Sequence, residues 1–282
     1  RGYMSSLMER SIQIMEEREL LLSVLWGNRQ RYMHYGYEVC GQKCQLDFDR
    51  RSMTRAKIEP AEVEEVDPCD ETVIGKIRKL HATLNYRVAR HSLDLLLSKP
   101  KVRVFMGEEG YLISVNEYKG DLILQEVVSP SAKEAELILG AMDWAFAEKA
   151  SLEMEPITSP SHRHLLAATS SWRIVPQGMF RIINWSDLCE SLSPYFAGEA
   201  KGLPAFELAI GCTWKESEQI ATLSWDGSRF TTCPGKETDQ YIELEEPQLV
   251  ATLFGGPYAA NNLGLLGKLL PVPIHISNID HV

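Results

Sequence analysis

Three phenols fall within six residues at Tyr32-Met33-His34-Tyr35-Gly36-Tyr37. A phenol ordinarily titrates near 10, so it can give a proton to a base; it also packs well as an aromatic with a wet tip. The packing reading fits Tyr35 and Tyr37. The chain opens Arg1-Gly2-Tyr3-Met4, which looks like the end of a loop feeding a helix. A helix start carries unpaired N–H groups and a partial positive charge, the general requirements of an anion site. His162 and His164 hint at a metal pair, but an i, i+2 spacing does not share a helix face and no acidic partner is evident. They read as a solvated helix start, and no metal site is expected. Cys40 and Cys44 lack a second Cys or His pair to complete a zinc site, so the six scattered cysteines read as reduced thiols.

These residues need elements to hold them. Met4, Leu7, Met8, Ile12 and Met15 form one apolar stripe, which predicts a helix over 4–18. The continuous apolar run 20–25 predicts a strand buried on both faces. Asn28 is placed to cap a helix over 29–34, and Gly36 to end it in the left-handed conformation. Two strands, 37–40 and 44–48, are expected to form a pair turned at Gly41-Gln42-Lys43. The acidic stretch IEPAEVEEVDPCDE reads as a linker or inter-domain crossing. Asp70 caps the helix carrying Ile74, Ile77, Leu80 and Leu84. A helix near 91–97, strands 101–106, 111–118 and 121–127, an amphipathic helix 132–148, strand 151–155, a short helix 161–168 and strand 179–184 follow. The last hundred residues read as a helix at 186–192, four strands with a hairpin turn at Asp226-Gly227, and helices at 247–254 and 261–269. That pattern is an antiparallel sheet with helices against it.

Composition bounds the function. A chain of 282 residues with 44% hydrophobic and 24% charged residues is ordinary for a globular protein of two or three domains. Its net charge of −10 argues against nucleic acid as a partner, because nothing basic is concentrated enough to neutralise phosphates. An acidic surface weakly favours a cationic substrate. No apolar run reaches the ~18 residues of a membrane span, and a cytoplasmic location is expected.

The order of loop, glycine, long helix, apolar strand and Tyr-bearing helix, with RGYMSSLM and YMHYGY as its landmarks, resembles the second half of a GNAT-superfamily N-acetyltransferase domain, of the Eis-like type. The resemblance implies an α+β fold of mixed-sheet, acyl-CoA N-acyltransferase domains followed by a sterol-carrier-like antiparallel sheet with helices. The domains would be residues 1–55, the C-terminal part of a catalytic GNAT domain; 56–184, a second, degenerate GNAT domain that binds no cofactor; and 185–282, the sterol-carrier-like domain. By the same resemblance the N-terminal half of the first domain is absent, and the 282-residue chain alone is expected not to turn over acetyl-CoA.

The implied activity is acetyl-CoA-dependent N-acetylation of a primary amine, small-molecule or peptide, by direct attack on the thioester. Arg1, Gly2, Tyr3, Met4 and Asn28 would hold the cosubstrate, with Gly2 at the motif position where backbone approaches phosphate, and Met4 where the family usually has Gly or Ala. Tyr32 would be the general acid that protonates the departing thiolate. The terminal carboxylate of Val282 would help deprotonate the amine; His281, titrating near neutrality, is an alternative base, and a tail docked only for packing is another reading. Eis-like proteins form oligomers, so a homo-oligomer is a further expectation. A different class of function, a non-catalytic apolar-ligand-binding or scaffold module built on the last domain, stands as the alternative.

Overall fold

The computed structural model of the protein describes residues 2–84, 87–118, 120–155, 162–215, 217–256 and 259–280. Helix α1 (Tyr3–Glu17) leads into strand β1 (Leu22–Leu25). Helix α2 (Arg29–Tyr32) tightens into a 3-10 turn, Met33–Tyr35, ahead of strand β2 (Glu38–Cys40). Strand β3 (Lys43–Asp49) runs into helix α3 (Arg50–Arg55), started by a reciprocal cap in which the Asp49 carboxylate accepts from the Ser52 amide at 2.6 Å. Strand β4 (Val63–Val66) precedes helix α4 (Glu71–His81), whose cap is Asp70 Oδ1 on the Thr72 amide at 2.7 Å. Helix α5 (Leu93–Leu97) and strands β5 (Val102–Gly107), β6 (Gly110–Tyr118) and β7 (Asp121–Val128) follow. Then come helix α6 (Glu134–Trp144), strand β8 (Lys149–Met154), helix α7 (His162–Ala167) and strands β9 (Ser171–Val175) and β10 (Gly178–Ile182). Helix α8 (Trp185–Glu199), strands β11 (Phe206–Trp214), β12 (Ser217–Trp225), β13 (Phe230–Pro234) and β14 (Tyr241–Glu245), and helix α9 (Glu246–Phe254) complete the order.

The chain packs as two compact units, neither of them a contiguous run. The first holds the residues up to Gly41 together with Pro176–Pro273. The second holds Gln42–Val175 and the residues from Ile274 onward. The chain passes from one unit to the other after Gly41, after Val175 and after Pro273.

In the first unit, β10 is the central strand of an antiparallel sheet, β1-β10-β2, with Leu22 opposite Ile182 and Phe180 opposite Glu38. Helix α9 packs on β2 and β10, where Phe254 stacks on Phe180 at 5.4 Å. A second sheet has the order β13-β12-β11-β14. Helix α8 covers it: the Trp185 indole donates to the Ile210 carbonyl at 3.0 Å, and Phe196 meets Phe230 at 5.2 Å.

In the second unit, seven strands form one sheet, β4-β5-β6-β7-β8-β3-β9. Alternation along β5 and β6 sends Phe105 and Leu112 into a core under α6, and Val104, Tyr111 and Ile113 into a second core with Ile77 of α4 and Leu97 of α5. The sheet is antiparallel except for β7 and β8, which are parallel and linked through α6.

Several sequence expectations are corrected. Strands β2 and β3 do not form a hairpin: β2 pairs with β10, and β3 lies between β8 and β9. Both choices are made by strands more than a hundred residues away in the chain. The acidic stretch is not a free linker, since Val63–Val66 pairs with β5 as an edge strand. Charged side chains are what an edge tolerates. Helix α6 is buried on more than one face, at Ala135 and from Leu137 through Met142. Strand β9, SWRIV, went unread because its side chains face mostly outward. The C-terminal sheet is mixed, because β14 runs parallel to β11. The helix expected over 261–269 is a 3-10 turn, Leu266–Lys268. The apolar stripe of α1 buries only Ile12, and Leu7 stays 65% exposed.

Candidate active site

Strand β1 runs out at Trp26-Gly27, and the chain turns at once into α2. Asn28 starts that helix, its side-chain oxygen accepting from the Gln30 amide at 2.9 Å. The helix lasts one turn because Gly36, with φ +85°, ends the following 3-10 turn in a conformation costly for other residues. Arg29 clamps Glu38 with two bonds of 2.6 Å, which ties the short helix to β2.

This frame fixes Tyr32. Its ring lies against Gly27, so close that a Cβ there would sit 2.5 Å from Tyr32 Cε2. Tyr37 packs on it edge to face, with centroids 6.5 Å apart and planes at 70°. Tyr32 is half-buried, and among the described residues its hydroxyl has no hydrogen-bond partner. The neighbouring phenols differ. Tyr37 is buried, bonded to Ser23 Oγ at 2.7 Å, and burial pushes its pKa up. Tyr35 lines a groove of about 570 Å³ with Ile12, Glu16, Arg181, Trp214 and Lys215.

Helix α1 starts directly after Gly2. Gly2 has φ +113° with open space around it, no side chain caps the helix, and the first turn carries no acidic residue. The amides of Tyr3, Met4 and Ser5 precede the first helical bond, Ser6 N–H to the Gly2 carbonyl at 3.0 Å. An anion meets no competing carboxylate there. Asn28, expected beside the cosubstrate, uses its side-chain oxygen on its own helix. Arg1, His281 and Val282 lie outside the described residues.

Sequence reading missed the charged cluster behind the groove. Arg181 projects from β10, Glu246 opens α9, and Glu16 lies on α1. Arg181 Nε stands 3.4 Å from Glu246 Oε1 and Arg181 Nη2 3.6 Å from Glu16 Oε1. Neither Arg181 Nε nor Glu246 Oε1 forms a hydrogen bond. Burial pushes Glu246 up to about 8 against the pull of Arg181 and the Ile182 amide. The available signal was an arginine inside the apolar run GMFRII.

The histidines of SHRH do have acidic neighbours: His162 Nε2 is 3.9 Å from Glu155 and His164 Nε2 is 3.1 Å from Glu136. Each faces a different carboxylate, and among the described residues no group of three metal-binding side chains converges. No helix among the described residues is long and apolar enough to cross a membrane.

No protein-family profile matches the chain, and no curated protein matches it. Solved structures do match. Their class is the GNAT fold, the acyl-CoA N-acyltransferase architecture of mixed α+β sheets, and this chain has it. A GCN5-related N-acetyltransferase from Kribbella flavida is similar with a TM-score of 0.68 and 17% identity, covering 98% of this chain and 74% of its own. A GCN5-related N-acetyltransferase from Anabaena variabilis gives 0.66 and 18%, over 95% and 74% of the two chains. Eis1 from Mycobacterium abscessus gives 0.61 and 14%, over 98% and 78%.

Proposed function

We propose that this chain belongs to an acetyl-CoA-dependent N-acetyltransferase that acts on a primary amine, with Tyr32 as general acid. The observation that carries the reading is the state of Tyr32: a phenol held by Gly27 and Tyr37, half-buried, with an uncommitted hydroxyl. The GNAT fold and its acetyltransferase neighbours support the reaction class. Acetyl-CoA supplies an activated acyl group whose C–S bond breaks as the amine nitrogen bonds to carbon. The sulfur leaves as a thiolate, and the Tyr32 hydroxyl donates the proton it takes up. The amine reacts in its neutral form, so its proton goes to a base, for which the Val282 carboxylate and His281 are the candidates. On this reading the amides of Tyr3, Met4 and Ser5, with Gly2 ahead of them, hold the pyrophosphate. The cytoplasm, where acetyl-CoA is made and used, is the compartment this reading assigns, and assembly into a homo-oligomer goes with it.

The test is release of free thiol from acetyl-CoA in the natively expressed protein, with a panel of primary amines. Tyr32→Phe is expected to lower kcat about 100-fold or more and to leave acetyl-CoA binding, measured by titration calorimetry, unchanged. Wild-type turnover in Tyr32→Phe would refute the role of Tyr32. Absence of turnover with every amine in the wild type would refute the activity.

A further inference from the structure

The parallel pair in the Gln42–Val175 unit stops short of the ends of its strands. β7 and β8 are paired at Leu122 with Ala150, Ile123 with Ser151 and Leu124 with Leu152, yet β7 continues to Val128 and β8 to Met154. Crevices beyond the carboxyl ends of parallel strands are where open α/β sheets take ligands. Here the crevice is filled by the chain itself.

The segment that fills it comes from beyond Ile274, in the same unit. Ser277 Oγ donates to the Gln125 carbonyl on β7 at 3.0 Å. Asn278 Nδ2 donates to Glu153 Oε2 on β8 at 2.7 Å, so consecutive residues bridge the separated strands. Ile279 enters the core of Ile77, Leu93, Leu97 and Tyr111, and its carbonyl accepts from Lys99 Nζ at 3.4 Å. Asp280 meets Arg90 with two bonds of 2.7 Å.

Arg90 holds a second carboxylate, Glu126 of β7, at 2.8 and 2.5 Å, and the Tyr111 hydroxyl donates to the same Glu126 at 2.5 Å. The three side chains Arg90, Glu126 and Asp280 are 3%, 7% and 5% exposed. Burial opposes ionisation of Glu126, but its bonds to Arg90 and Tyr111 prevail and hold it below the usual carboxylate range. A guanidinium is a planar fork that matches carboxylates two bonds at a time. Glu126 takes one side of the fork. Without Asp280, Arg90 Nε would be a buried donor with no partner, which is costly. The site is therefore built to receive a carboxylate, next to a small hydroxyl, an amide and an aliphatic anchor. A cavity of about 280 Å³ remains beside the segment, lined in part by His81, Glu134 and His275.

We infer that this crevice is a peptide-binding site whose ligand is the chain's own segment 275–280, and that Arg90 is its specificity residue, reading the carboxylate of Asp280. The inference does not rest on the acetyltransferase reading. The sequence does not disclose the site, because Arg90, Glu126 and Asp280 are separated by 36 and 154 positions, and Arg90 to Asp280 spans 190.

The test uses the full chain carrying Asp280→Asn and a fluorescent synthetic peptide of residues 274–282. Hydrogen exchange over 275–280 is expected to accelerate about 30-fold or more, while exchange in β3, β6 and β9 stays as in the wild type. The peptide is expected to bind this variant, read by anisotropy, and a peptide with Asn at position 280 to bind at least about 30-fold more weakly. The wild-type chain, its crevice filled, binds neither peptide. Ile279→Ala keeps the ion cluster and removes only the anchor, and serves the same measurement should Asp280→Asn disturb folding. Unchanged exchange, equal binding of the two peptides, or no binding to either variant would overturn the inference. So would a concentration-dependent dimer in which the segment occupies a neighbouring copy.

Discussion

Removing the titration of Glu246 should flatten the pH dependence of stability in the unit that holds it. Glu246 is 3% exposed, and burial raises its pKa from 4.5 to about 8. The groups around it are Arg181 on β10, which pulls the value down, Glu16 on α1, which pushes it up, and Cys212 on β11, itself raised to about 12 chiefly by burial. The native state thus binds this proton more tightly than the unfolded chain does. Its stabilising contribution is complete below about 4.5 and is lost as pH rises through about 8. The whole gap corresponds to about 5 kcal/mol at about 1.36 kcal/mol per unit, and the part between pH 5 and pH 8 to about 3.5 kcal/mol. Physically, ionisation leaves a carboxylate out of water, with the Arg181 Nε 3.4 Å from its Oε1 as the charge partner. Urea titrations at pH 5, 6, 7 and 8, followed by hydrogen exchange in peptides covering β10 and α9, measure the effect. Wild type should lose about 3.5 kcal/mol more than Glu246→Gln between pH 5 and pH 8. Parallel curves for the two proteins would show that Glu246 is ionised throughout, and that Arg181 outweighs burial.

Three further outcomes are expected. Gly27→Ala places a Cβ against the Tyr32 ring; on the acetyltransferase reading it should lower kcat about 10- to 100-fold, with the KM for acetyl-CoA little changed. Tyr37→Phe leaves the buried Ser23 hydroxyl without its partner, so unfolding in urea should show a loss of about 1–2 kcal/mol, with none of the change in kcat expected of Tyr32→Phe. Gly140→Ala drives a Cβ to 2.2 Å from the Ala61 carbonyl oxygen; the urea midpoint of the second unit should fall by the equivalent of about 1–3 kcal/mol.

Local chemistry was legible because it depends on residues close in the chain. Asn28, Gly36 and Asp70 perform the cap and turn roles their types suggest, since each acts on amides two or three positions away or on its own backbone. The Tyr-bearing turn and the start of α1 were visible for the same reason. Strand partnership was not. A short apolar run such as 37–40 shows that it will pair, but the choice of β10 over β3 comes from register and burial supplied by residues 178–182. The acidic edge strand β4 and the outward-facing β9 carry little apolar signal, so only the completed sheet reveals them. Buried charge is the extreme case. Glu246 and Asp280 look like any acidic residues in the sequence. Their chemistry follows from desolvation and from a single arginine brought to each by the tertiary fold, and no local pattern encodes either.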